Sequence, residues 1–240
     1  MDDKVHVVVA MSGGVDSTVA AAILIEQGYQ VSGVMLNLWG NSENECSIPS
    51  IQTQALQDAT NICKFLGIPF YLHDVKDRFN EWVIGDFIEA YLSGITPNPC
   101  IVCNRKIKWE SLLDFSLSIG AEFLATGHYA RTLISSDGKV QLLRGVDESK
   151  DQAYMLSTLS QGQLSRTIFP LGNLLKSDVR KKAIDLNLPV IDREESQDLC
   201  FLAGEDYRLF LKKFGVGASS PGKIINRRGD TLGEHQGLSQ

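Results

Sequence analysis

The passage that most constrains the fold is "HVVVAMSGGVDSTVAAAILIEQG", residues 6–28. Its β-branched opening reads as a buried parallel strand and its Ala-rich close as a helix ended by Gly28, with the polar hexad SGGVDS where the strand hands over to the helix. Successive glycines at such a turn let the backbone present N–H groups to an anion, and the following helix adds its positive end. Ser12 and Ser17 add hydroxyl donors. The stretch predicts a phosphate site.

The hexad lacks the Lys of a GxxxxGK[ST] loop, so it reads as a cradle for departing pyrophosphate rather than for γ-phosphoryl transfer. Asp16 repels the phosphates it faces unless a cation stands between them, and Mg²⁺ is the expected cation. A plainer reading makes SGG a flexible turn and Asp16 a helix cap. It accounts for the glycines but not for the whole string in its setting.

Strands at 29–39, 69–75 and 122–130 alternate with helices at 50–67, 78–92 and 107–118, and a Pro-rich loop covers 93–106. This alternation predicts an α/β fold with a doubly wound parallel sheet whose ligands lie beyond the carboxyl ends of the strands. The texture then changes. A hairpin signal surrounds Ser135–Gly138, residues 150–172 and 176–189 read as helical, and from Gly215 the chain is Gly-rich with short β runs. Three units are expected: an ATP-binding α/β core at 1–130, a hairpin and helical segment at 131–214, and at 215–240 the start of a β domain cut before completion.

The chain is 43% hydrophobic and 22% charged with no apolar run of bilayer length, and "MDDKVHVVV" lacks the layout of a signal or transit peptide. A cytoplasmic, non-membrane protein is expected. The net charge of −6 argues against coating nucleic acid by bulk positive charge, leaving local patches such as Arg105, Lys106 and Lys108 in "CNRKIKW". The five cysteines form an odd set that disfavours a disulfide framework. Cys46 and Cys63 carry no chemical signal. Cys100 and Cys103 share the Pro-rich loop, Cys200 lies in "ESQDLCF", and the cations beside Cys103 favour its thiolate. A single CxxC pair leaves structural zinc open, without the second pair that a zinc finger needs.

The hexad resembles the PP-loop of the ATP-pyrophosphatase superfamily. The strings "AMSGGVDSTVAAAILIEQGYQVSGVMLNLW", "GITPNPCIVCNRKIKW", "ATGHYAR", "LLRGVDESKDQAYMLSTLSQ", "FPLG" and "ESQDLCFL", in order and across nearly the whole chain, resemble the tRNA-specific 2-thiouridylase family. The resemblance implies an adenine nucleotide alpha hydrolase-like core and a transferase that adenylates the C2 oxygen of a wobble uridine. A cysteine persulfide then supplies sulfur, giving 2-thiouridine, AMP and pyrophosphate.

By the same resemblance, Ala10, Met11, Ser12, Gly13, Gly14, Val15, Asp16, Ser17, Met35 and Gly127 contact ATP, Cys103 is the nucleophile and Cys200 carries the persulfide. Asn98, Pro99 and Cys100 meet the target base, while Lys150, Asp151 and Gln152 contact tRNA. The implied partners are a tRNA and a persulfide-donating relay protein. Cys100 stands where many members have Asp, so a third thiol, or a [4Fe–4S] cluster on Cys100, Cys103 and Cys200, is open. Two other readings remain: a different AMP-forming synthetase of the superfamily, and an ATP-sensing module without turnover.

Overall fold

A computed structural model describes residues 4–38, 49–189, 199–202, 204–215 and 221–235, with backbone only for 49–53. The chain begins β1 (His6–Ala10), α1 (Val15–Glu26), β2 (Gln30–Asn37), α2 (Pro49–Leu66) and β3 (Phe70–Asp74). Next come α3 (Lys76–Phe79), a π-helical stretch Asn80–Ile84 and α4 (Gly85–Leu92). After these run α5 (Pro99–Val102), a second π-helical stretch Cys103–Leu112, α6 (Leu113–Ser118) and β4 (Phe123–Ala125). The hairpin β5 (Ala130–Ile134) and β6 (Val140–Arg144) precedes a 3₁₀ turn Ala153–Leu156, α7 (Gln161–Leu164), β7 (Thr167–Ile168) and α8 (Lys176–Asp185). Last are α9 (Tyr207–Lys213) and the antiparallel pair β8 (Gly222–Ile225) and β9 (Thr231–His235).

Five strands form one sheet in the order β3-β2-β1-β4-β7, every pair parallel. Val7, Val8 and Val9 are fully buried, as a central strand covered on both faces requires. Val7 and Val9 pack against α1, α2 and α8, while Val8 packs against Trp109, Leu112 and Leu113 on the other side. The sheet is therefore doubly wound, as expected. Its order reverses between β1 and β4, which opens a crevice at their carboxyl ends.

Three expectations are corrected. Residues 150–172 are not all helical: Thr167–Ile168 joins β4, so the fifth strand of the sheet comes from beyond residue 130. The strand expected at 122–130 stops at Ala125, and the chain leaves the sheet through Thr126–Tyr129 before re-entering extended structure in β5. The expected loop at 93–106 becomes helical at Pro99. Asn98 caps it by accepting the Ile101 N–H on its side-chain oxygen (3.4 Å), and Pro99 occupies the first turn, where its missing N–H costs nothing. Among the described residues, no helix is long and apolar enough to cross a membrane.

The indole of Trp109, 1% exposed, donates to Thr167 Oγ1 at 2.7 Å and so ties the second π-helical stretch to β7. Trp109→Phe should cost about 1–3 kcal/mol of stability in urea denaturation, because it leaves a buried hydroxyl without its donor.

Candidate nucleotide and thiol site

After β1 the backbone stays extended long enough for the Met11 N–H to reach the Val34 carbonyl (2.8 Å). It then turns at Gly13, whose φ of +74° suits glycine. Ser12 Oγ and Ser17 Oγ lie 3.2 Å apart, and Ser17 Oγ accepts the Ser12 N–H at 3.2 Å. Ala10, Met11, Ser12, Gly13, Gly14, Val15, Asp16 and Ser17 thus form one continuous turn opening α1. Across the crevice Gly127 presses on it: a Cβ there would stand 2.9 Å from both Asp16 C and Ser17 N. The structure therefore brings Gly127 to the loop. Met35 lies at the same end of the sheet, with its side chain in the core at 8% exposure.

Asp16 already has a cation. Lys176 Nζ, from the first residue of α8, donates to its two carboxylate oxygens at 2.7 and 2.8 Å, and the Tyr129 hydroxyl donates to Oδ1 at 2.9 Å. The ammonium also lies 5.8 Å from the centre of the Tyr129 ring. Asp16 thus has a protein cation beside it, and the expected Mg²⁺, placed through pyrophosphate, would be one that arrives with the nucleotide. Sequence reasoning missed both partners. The only signal was the uncompensated charge of Asp16, which asks for a cation without saying which.

The thiols gather at a second centre. Cys103, half-buried, packs against the aromatic cluster that contains Phe79, Phe87, Phe201 and Phe210. Phe201 is anchored with its ring centre 5.1 Å from Phe87 and 5.3 Å from Phe210, which holds the neighbouring Cys200 close to Cys103. Cys100, Cys103 and Cys200 are all free thiols, and Cys100 and Cys200 are exposed. Cys46 lies outside the described residues. Cys63 is buried in the core, and that burial pushes its thiol up to about 12.

Burial also raises the pKa of Cys103, a tendency that Lys108 opposes and Cys100 reinforces. Cys200 is raised too, first by the protein atoms crowding it and then by Cys103, again against Lys108. Cys200 nevertheless keeps solvent-accessible surface: accessibility decides whether a reagent reaches it, crowding decides the direction of its pKa. The expectation that the cations beside Cys103 favour its thiolate is thus corrected. Glu110 takes Lys106 (3.3 Å) and Arg105 (4.0 Å), Lys106 also lies over Trp82, and only Lys108 acts on the thiols. Among the described residues no group of three or more His, Cys, Asp or Glu side chains could hold a metal ion. The thiols as placed fit neither an iron–sulfur cluster nor zinc.

Lys108, which acts on the thiols, also acts on His128 in the segment Thr126–Tyr129 beside the phosphate loop. His128 is held neutral, its pKa well below the usual value through burial and then Lys108, and its Nδ1 lies 2.7 Å from Thr126 Oγ1. The next residue, Tyr129, reaches Asp16. On the base-contacting segment, Asn98 spends its oxygen on the helix cap, Pro99 is buried and Cys100 faces solvent. Asp151 and Gln152 turn inward, Asp151 Oδ1 accepting the Gly145 and Ala153 N–H groups.

Residues 5–204 match the family model described as the tRNA methyl transferase HUP domain. The chain belongs to this family. It is 47% identical over 234 residues to the tRNA-specific 2-thiouridylase MnmA of Chloroflexus aurantiacus, covering 97% of this chain and 65% of that relative. To the protein of the same name from Pelotomaculum thermopropionicum it is 46% identical over 240 residues, covering 98% and 66%. The chain thus spans about two thirds of the length of these curated relatives. Among solved structures, a 4-thiouridine synthetase in complex with RNA and bound ATP shares the fold with a TM-score of 0.52 at 19% identity, over 87% of this chain and 50% of that one.

Three outcomes test the electrostatics. Lys176→Met should weaken ATP binding by about tenfold or more in isothermal titration, since it removes the cation of the phosphate loop and leaves Asp16 uncompensated. A raised pKa means less thiolate at neutral pH, so iodoacetamide labelling of Cys103 and Cys200 should keep rising with pH beyond about 8.5, the usual thiol value. Lys108→Met should move both profiles further up, read by peptide mass spectrometry.

Proposed function

We propose that the chain carries the nucleotide and sulfur chemistry of a tRNA 2-thiolating enzyme that consumes ATP and releases AMP and pyrophosphate. One observation carries this reading: Lys108 acts on the free thiols Cys103 and Cys200 and on His128, whose neighbour Tyr129 bonds Asp16 of the phosphate loop. An amidating synthetase needs no such thiols. Methyl transfer, named in the family description, needs neither an α/β-phosphate-cleaving loop nor paired cysteines.

The uracil C2 carbonyl is a poor electrophile between two nitrogens. Attack of its oxygen on the α-phosphorus of ATP forms the C2–O–AMP bond and breaks the α–β bridge, with the N–H groups of the loop and Lys176 stabilising the departing pyrophosphate. Cys200, loaded as a persulfide by a relay protein, presents its terminal sulfur to C2. The Cys103 thiolate attacks the inner sulfur, the sulfur–sulfur bond breaks towards C2, and AMP leaves with the former carbonyl oxygen. A Cys103–Cys200 disulfide remains, and an external thiol must reduce it before the next turnover. Cys100 takes no step in this scheme and borders the pocket.

The substrate base must be splayed from an anticodon loop, because stacking and pairing hide C2. Arg105 and Lys106, on the exposed side of the second π-helical stretch, are assigned to the phosphates of that cytoplasmic tRNA. The test is mass spectrometry of tRNA incubated with ATP, a persulfide donor and the protein. Exchange of oxygen for sulfur on one uridine, with stoichiometric pyrophosphate, is expected; a methylated product or ADP as sole nucleotide product overturns the reading. Cys200→Ser should abolish thiolation while pyrophosphate release persists, Cys103→Ala should be inactive, and Cys100→Asp should retain activity.

A further inference from the structure

The second π-helical stretch is anchored at two of its residues. Asn104, 2% exposed, donates its side-chain N–H to the Met155 carbonyl at 2.9 Å. Trp109 donates its indole N–H to Thr167 Oγ1 at 2.7 Å, and its carbonyl accepts the Gln163 side-chain N–H at 2.9 Å. Both anchors therefore meet the chain between the 3₁₀ turn Ala153–Leu156 and β7. Asn104 and Trp109 are five residues apart, which on an α-helix would set them about 140° from each other. A helix that closes its hydrogen bonds five residues apart returns them to one face. Cys103 and Lys108, each one residue earlier, share the same spacing, roughly a quarter turn round from the anchors.

A buried amide is costly unless it is bonded, and a leucine would fill the same space, so what Asn104 adds is direction. We propose that Asn104 is a positioning residue for the thiol centre: its bond to Met155, together with the Trp109 anchor, holds the π-helical turn that puts Cys103 and Lys108 on a shared face and sets Cys103 towards Cys200. Asn104 touches no reacting atom. Relaxed to an α-helix, the stretch would turn Lys108 away from Cys103 and shift Cys103 against the aromatic cluster of Phe79, Phe87 and Phe201. The assignment deepens the proposed function, resting on its pairing of Cys103 with Cys200 and on no RNA step.

The test therefore needs no RNA. Iodoacetamide labelling of Cys103, followed against pH by peptide mass spectrometry, is compared in the parent, Asn104→Leu, Lys108→Met and the double variant. In the parent background Lys108→Met moves the Cys103 profile up, because Lys108 opposes the rise that burial causes. With Asn104→Leu already in place, that displacement should shrink to less than about half, since the lysine no longer shares the face. In mixtures of oxidised and reduced glutathione, the Cys103–Cys200 disulfide of Asn104→Leu should form with an equilibrium constant about tenfold below the parent's. Thr167→Val, which takes the acceptor from the Trp109 indole at the other anchor, should act in the same direction in both measurements, and it decides should Asn104→Leu fail to fold. A full Lys108 displacement in Asn104→Leu, or a disulfide equilibrium equal to the parent's, overturns the proposal, and a lowered melting temperature without the two expected changes leaves the amide a packing group only. A parent protein that behaves as expected in both measurements yet never thiolates tRNA sinks the proposed function while the assignment of Asn104 stands.

Discussion

The site depends on one ion pair. Asp16 sits in the first turn of α1, where a carboxylate favours the helix but opposes any phosphate brought to the same N–H groups. Lys176 resolves the conflict from a position 160 residues away in the chain. With its side chain only 11% exposed, the ammonium is shielded from the screening that makes surface ion pairs weak. The sheet topology makes the pairing possible. β7 lies beside β4 and leads directly towards α8, whose first residue is Lys176, so the order β1-β4-β7 carries the lysine to the carboxyl edge where the loop opens.

The thiol centre depends on burial of a different kind. Cys200 lies in a turn with little regular structure of its own, and Phe201 and Leu202 fix it by inserting among Phe79, Phe87, Ile107 and Phe210. The aromatic edge contacts that hold Phe201 therefore also set the approach of Cys200 to Cys103, without any bond between the sulfurs. That arrangement leaves Cys200 open to solvent on one side, within reach of a reagent. The crowding that orients it also holds it protonated, so Lys108 is the group that lowers the cost of making either thiolate.

Much of the fold was legible because the deciding patterns are local. The buried run of β1, the Gly-rich turn and the alternation through β4 are each set by neighbours in sequence. β7 was not legible: two residues are too few for a period, and Thr167 and Ile168 become a strand only because β4 offers a free edge. The glycine-rich loop and the three cysteines that the fold gathers were singled out from motif and resemblance. Lys176 and Tyr129 were not, since no spacing rule links an acid in a phosphate turn to a lysine opening a distant helix. The inward turn of Asp151 and Gln152 was equally hidden, because polar residues between elements look alike whether they face solvent or a backbone N–H.

The choice of lysine shows how helix type enters the chemistry. Read at the α-helical period, the cation stacked over Cys103 would be Lys106, three residues on, with Arg105 beside it. From Cys103 the helix is instead π-helical through Leu112, closing its hydrogen bonds five residues apart. Within this stretch Lys108 acts electrostatically on the Cys103 thiol, while Lys106 turns to Glu110 and the ring of Trp82. Within one short motif the basic residues are thus divided, Lys108 acting on the thiols and Lys106 and Arg105 pairing with Glu110. A sequence that keeps CNRKIKW but relaxes to an α-helix would keep its charges and lose this division.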